Sequence, residues 1–100
     1  MNIEILQQAD DELNAAVAYY EGIEPGLGIR LKEEARAVIQ WIEKNPEAPS
    51  LRAKGYRRAN LKVFQHYIAY LIWADTIWIV AIAHGRRRPE YWLMRKDRLR

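Results

Sequence analysis

The segment His84-Gly85-Arg86-Arg87-Arg88-Pro89-Glu90-Tyr91-Trp92 holds the densest chemical capacity in this 100-residue chain. Guanidinium groups are planar, forked and permanently charged, which suits them to phosphate, and neighbouring aromatic rings can stack on unpaired bases. Read from residue types alone, the segment is a candidate RNA or partner-protein contact. A second cationic group, Lys54, Arg57 and Arg58, precedes and enters a short predicted strand. Arg57 and Arg58 must point to opposite faces of that strand, so one of them shares a face with the Arg86 region, and Arg58 is the expected one. His66 and His84 are the two imidazoles. An imidazole acting as acid or base, with an arginine stabilising a phosphorane, is sufficient for cleavage of RNA through its 2′-hydroxyl. The bland alternatives are a solvated charge run for the arginines, a hydrogen-bonded structural histidine, and docking of a terminal helix onto the sheet for Tyr91 and Trp92, which is the preferred reading for Trp92.

Other chemistries find no footing. The chain has no cysteine, which removes disulfides and thiolates, and two histidines are too few for the usual Cys/His zinc ligand set, so no metal or cofactor is expected. No Gly-rich phosphate loop, paired carboxylates or Ser-His-Asp order stands out. No stretch approaches the roughly 18 apolar residues of a membrane span, and the N-terminus lacks the basic start and apolar core of a signal peptide; the expected compartment is the cytoplasm, without membrane association.

The formal net charge of +3 conceals an asymmetry. Residues 1–50 carry four basic against ten acidic side chains, a net of −6, and residues 51–100 carry twelve against three, a net of +9. The C-terminal half is thus the face that long-range attraction would bring to a polyanion or an acidic protein.

The elements that must position these residues can be read from periodicity. Asn2-Ile3-Glu4-Ile5 alternates as a strand, and Leu13, Ala16, Val17 and Tyr20 recur at helical spacing in a helix ending near Gly22. Pro25, Gly26 and Gly28 mark a turn, after which Leu31, Ala35, Val38, Ile39 and Ile42 form the stripe of a second helix, stopped at Asn45-Pro46. Glu33, Glu34, Arg36 and Glu43 are expected opposite that stripe, and the acidic residues generally on outward helix faces. Residues 46–55 read as a loop. Tyr56–Leu61, Phe64–Trp73 and Ile77–Ala83 follow as strands of an antiparallel meander, with Ala74-Asp75 as a tight turn. The nearly unbroken apolar run of the last strand predicts cover on both faces, by the helices on one and by the tail or a partner on the other. The tail is expected to form a short helix led by Pro89-Glu90. The whole is a single α+β domain over residues 1–100, a helical hairpin packed on one side of an antiparallel sheet.

Taken in order, Ala9-Asp10-Asp11-Glu12-Leu13, Tyr19-Tyr20-Glu21, Gly26-Leu27-Gly28-Ile29-Arg30-Leu31, Asn45-Pro46, Arg57-Arg58, the run Phe64 to Tyr70, and His84 to Trp92 resemble the RelE/ParE superfamily of toxins from bacterial type II toxin-antitoxin modules. The resemblance spans nearly the whole chain, and the closing segment is most similar to ParE-like, plasmid-stabilisation members. It implies a toxin held inactive by a cognate antitoxin that wraps it and covers apolar surface. It also implies one of two targets. RelE-like members cut mRNA on the ribosome with basic side chains on the sheet, an arginine after the last strand and a terminal aromatic. Arg58, Arg86, Arg87 and Tyr91 match that set, whereas Asn60 and Tyr67 stand at two of its basic positions. ParE-like members bind and poison DNA gyrase without hydrolytic chemistry, and this is the preferred reading. In it the same residues, with Lys54, Arg57, His84, Arg88 and Trp92, are target-binding candidates. A non-toxic relic or small nucleic-acid-binding domain is the blander third reading.

Overall fold

The computed structural model describes residues 1–99. Strand β1 (Asn2–Ile5) leads into helix α1 (Gln7–Ile23) and helix α2 (Leu27–Lys44), followed by strands β2 (Arg57–Asn60), β3 (His66–Trp73) and β4 (Thr76–His84) and a 3-10 helix over Leu93–Leu99. The sheet order is β1-β4-β3-β2. The three later strands form the expected antiparallel meander, but β1 lies parallel to β4, pairing Asn2 with Thr76 and Ile5 with Ile79, so the sheet is mixed. A parallel pair requires a long crossover, and the helical hairpin and β2–β3 together supply it.

Both faces of the sheet are covered. On one, Ile68, Tyr70, Ile77, Ile79 and Ile82 pack against Ala9, Leu31, Ala35 and Ile42 of the helices. On the other, Tyr67, Ala69, Val80, Ala81 and Ala83 pack with Tyr56 and Trp92, so the C-terminal tail is the second cover that the apolar strand required. The alternation of β4 is broken once. Val80 and Ala81 face the tail in succession because a register shift lies between Ala69 and Tyr70 of β3, whose partners are Ala81 and Ile79, leaving Val80 as an extra residue.

The hairpin between the helices is tighter than the sequence suggested. Gly28 belongs to α2, not to the turn, and is buried. Gly26 at φ 91° occupies the N-cap position, where a left-handed residue is cheapest as glycine. The carboxylate of Glu21 on α1 accepts the N–H of Gly26 at 2.8 Å and of Gly28 at 3.0 Å, so an anion sits on the unsatisfied donors at the start of α2. Glu34 was expected to face outward. It instead turns to the β2–β3 connection and accepts the backbone N–H groups of Lys62, Val63 and Phe64. Ala74 and Asp75 both have positive φ (52° and 60°), the conformation of a two-residue I′ hairpin turn. The tail also departs from expectation. Glu90 sits at φ 60°, which no right-handed helix can contain, so the helical turns begin only at Leu93.

Gly28 is the closest approach of the two helices: a Cβ there would collide with the Val17 carbonyl oxygen and press on the Glu21 side chain. Gly28→Ala should therefore destabilise the fold by roughly 2 kcal/mol through overpacking, although alanine is the better helix former, and a denaturant melt read by circular dichroism checks it.

Candidate target-binding surface

The register places Arg58 opposite Ala69 and Arg57 opposite Tyr70, so Arg58 shares the tail-covered face and Arg57 the helix face. The Arg58 guanidinium lies 3.8 Å from the centre of the Tyr67 ring and donates to the Asn60 side-chain oxygen at 3.2 and 3.4 Å. Tyr67 is fixed in turn by the Trp92 indole N–H, which donates to its hydroxyl at 2.9 Å. Arg57 is half-buried and donates to the carbonyls of Glu47 (3.1 Å) and Pro49 (2.6 Å), tying the 46–55 loop to β2. Lys54 is exposed and pairs with Glu90 at 3.1 Å.

The arginine run forms the turn after β4. Arg86, Arg87 and Arg88 are all exposed and make no side-chain hydrogen bond among the described residues. Arg87 stacks over the Tyr91 ring at 3.9 Å. Tyr91 departs from the expectation of an accessible aromatic, whereas Trp92 follows the docking reading preferred for it. Trp92 is only 2 % exposed and packs edge-on against Tyr56, so it anchors the tail and offers no stacking surface; the docking alternative holds for it. Tyr91 is half-buried with its hydroxyl donating to Glu12. Burial, with the Glu12 hydrogen bond and charge added to it, pushes the phenol above its ordinary range.

Glu12 is the residue that sequence reading missed. Its placement among acidic neighbours in Asp10-Asp11-Glu12 suggested solvent, yet it faces inward. Its carboxylate accepts the Tyr91 hydroxyl, the Ile82 N–H at 3.1 Å, and two Arg95 donors at 2.9 and 3.1 Å, while Arg95 also donates to the Val80 carbonyl at 3.0 Å. Helical spacing was the available signal, because Ala9, Leu13, Ala16 and Glu12 share one side of α1.

The two imidazoles come together at the end of the sheet from which the arginine turn emerges. His66 and His84 are register partners with ring centres 4.9 Å apart, and an open cleft beside them is lined by Tyr19, Tyr20 and Ile23 of α1. His84 Nδ1 accepts the Arg86 N–H at 3.0 Å. His66 is buried with Nδ1 unpartnered, and burial followed by the proximity of His84 lowers its pKa from the ordinary value of 6.5. A wider groove of about 600 Å³ opens between α2 and β2, lined by Val38, Trp41, Ala59, Arg58 and Lys62 among others. No helix among the described residues is long and apolar enough to cross a membrane.

Residues 3–89 match the sequence pattern of the family described as the ParE toxin of the type II toxin-antitoxin system parDE. This chain belongs to the ParE toxin family. Toxin ParE2 of Mycobacterium tuberculosis, in strains CDC 1551 / Oshkosh and ATCC 25618 / H37Rv, is 33% identical over 81 residues, covering 80% of this chain and 77% of that protein. A solved structure described as the chromosomal ParDE TA system from P. aeruginosa has the same fold, with a TM-score of 0.75 at 16% identity, covering 84% of this chain and 95% of that one. The family match ends at Pro89, so the ParE pattern includes the arginine turn but stops short of Tyr91, on which Arg87 stacks, and of Trp92.

The depressed His66 pKa has a definite sign. The unfolded chain takes up this proton near pH 6.5 and the folded chain only at lower pH, so the contribution to stability is complete above about 6.5 and is lost as pH falls through the folded pKa. His66→Phe should flatten that acid limb of stability relative to wild type, measured by urea melts across the window below about pH 6.5.

Proposed function

We propose that this ParE-family chain is the toxin of a type II toxin-antitoxin module, restrained by a cognate antitoxin, and that it acts by binding DNA gyrase and not by cutting RNA. The family membership supports the toxin role. The observation that carries the choice of binding over cleavage is the state of Tyr91. Its hydroxyl is committed to the Glu12 carboxylate, so the one terminal aromatic that could serve a nuclease is not free to exchange a proton with a substrate. The positions of Asn60 and Tyr67 point the same way: both attend to Arg58, and neither adds a cation.

In this reading the exposed turn Arg86–Arg88 and the stacked Arg58 are the target contacts, with Lys54 at their margin and His84 shaping the turn through its bond to the Arg86 N–H. A half-molecule of net charge +9 is attracted to an acidic protein surface or to DNA. The antitoxin fits the α2–β2 groove, where exposed Trp41 needs apolar cover and Arg58 and Lys62 favour an acidic segment.

Induction of the chain alone should depress thymidine incorporation before amino-acid incorporation, and the purified protein should block gyrase-dependent supercoiling of relaxed plasmid. Co-expression of the protein encoded beside it should restore growth. An early fall in protein synthesis with new mRNA ends would instead establish the ribosome-dependent nuclease.

A further inference from the structure

Arg87 is the one residue of the arginine turn with a defined resting place. Its guanidinium lies on the Tyr91 ring, 3.9 Å from the ring centre, with Arg95 also facing that ring at 5.5 Å. A ring can orient a cation only if the ring itself is held. Tyr91 follows Glu90, a residue in the left-handed region, and its hydroxyl ends on the Glu12 carboxylate. Glu12 cannot swing away, because Ile82 N–H and Arg95 bind the same two oxygens and the side chain is only 16% exposed. A continuous path thus runs from the first turns of α1, through a fixed carboxylate and a fixed phenol, to an exposed cation more than seventy residues later in the chain.

We propose that Glu12 is a positioning residue of this toxin, which through Tyr91 sets the direction in which Arg87 is presented to the target. The inference deepens the reading of the Arg86–Arg88 turn as the target contact and rests on it. Preorganisation of this kind lowers the cost of ordering a long cation on binding, so its loss weakens the complex without removing any residue that touches the partner. The expected partner group is an anion with two adjacent acceptor oxygens, a carboxylate or a phosphodiester, which the forked donors of a guanidinium match.

Glu12→Gln keeps shape and removes charge, and Tyr91→Phe keeps the ring and removes the hydroxyl tether. Each is compared with Arg87→Ala and with Ile42→Val, a core substitution on the helix side that lowers stability without touching the path. Two measurements are made on the purified full chain: the concentration needed to inhibit gyrase, and the order of each arginine Nε–H by ¹⁵N relaxation.

The expected result is that Glu12→Gln and Tyr91→Phe each weaken inhibition by about tenfold, that Glu12→Gln adds nothing to Arg87→Ala, and that Ile42→Val leaves inhibition intact. Arg87 Nε–H should be more ordered than those of Arg86 and Arg88 in the wild type, and should fall to their level in both path variants. Additive losses in the double variant would overturn the proposal, as would an Arg87 whose order is unchanged by Glu12→Gln. If the wild type does not inhibit gyrase at all, the functional reading fails separately, and the Arg87 relaxation data still decide whether Glu12 positions that side chain.

Discussion

Strand β4 outruns its neighbour, and the rest of the molecule is arranged around that mismatch. β1 ends at Ile5 opposite Ile79, yet β4 continues to His84. The extra residue at Val80 turns its carbonyl and the Ile82 N–H toward the edge that β1 has vacated. A buried strand edge with an open donor and an open acceptor is costly. Here Glu12 accepts from Ile82 and Arg95 donates to Val80, and the two side chains bind each other at 2.9 Å. A helix and the chain terminus together replace the missing segment of strand. Removing either partner would strand the other as a poorly solvated charge.

That arrangement explains why the tail lies where it does. Arg95 fixes one end of it at the β4 edge, and Trp92 fixes the middle by filling the space between Tyr56 and Tyr67 and donating to Tyr67. Glu90, bound by the Tyr56 hydroxyl and by Lys54, fixes the start. The arginine turn is then a short span between two anchored points, the end of β4 and Glu90. Its exposed charge therefore sits on a rigid base, which is the arrangement a binding surface needs to hold several cations near one another against their mutual repulsion.

The helical hairpin shows the same economy at the opposite side of the sheet. Glu21, which stood in the sequence only as part of a recognisable pattern, and Gly28, which was read as a turn residue, have separate physical tasks: one places an anion on the open N-terminus of α2, and the other allows the helices to approach at Val17. Glu34 repeats the device by gathering three backbone donors of the β2–β3 connection, which keeps β2 at the proper height beside the α2 groove.

Element type and order were legible in the sequence because they depend on near-neighbour periodicity: the alternation in Asn2–Ile5, the stripe from Leu31 to Ile42, and the paired apolar runs around Ala74-Asp75. The charge division between halves and the arginine turn were legible for the same reason, as was the need for a second cover over β4. Pairing partners and side-chain direction were not. Nothing local says that β1 joins β4 in parallel, that Val80 is an extra residue, or that Glu12 turns inward while Asp11 beside it is exposed. Those facts follow from which backbone groups are left open after the sheet assembles, a property of residues distant in sequence. Tyr91 and Trp92 illustrate the division: their aromatic character was plain from the chain alone, and only the tertiary structure made one an internal anchor and the other a bonded support for Arg87.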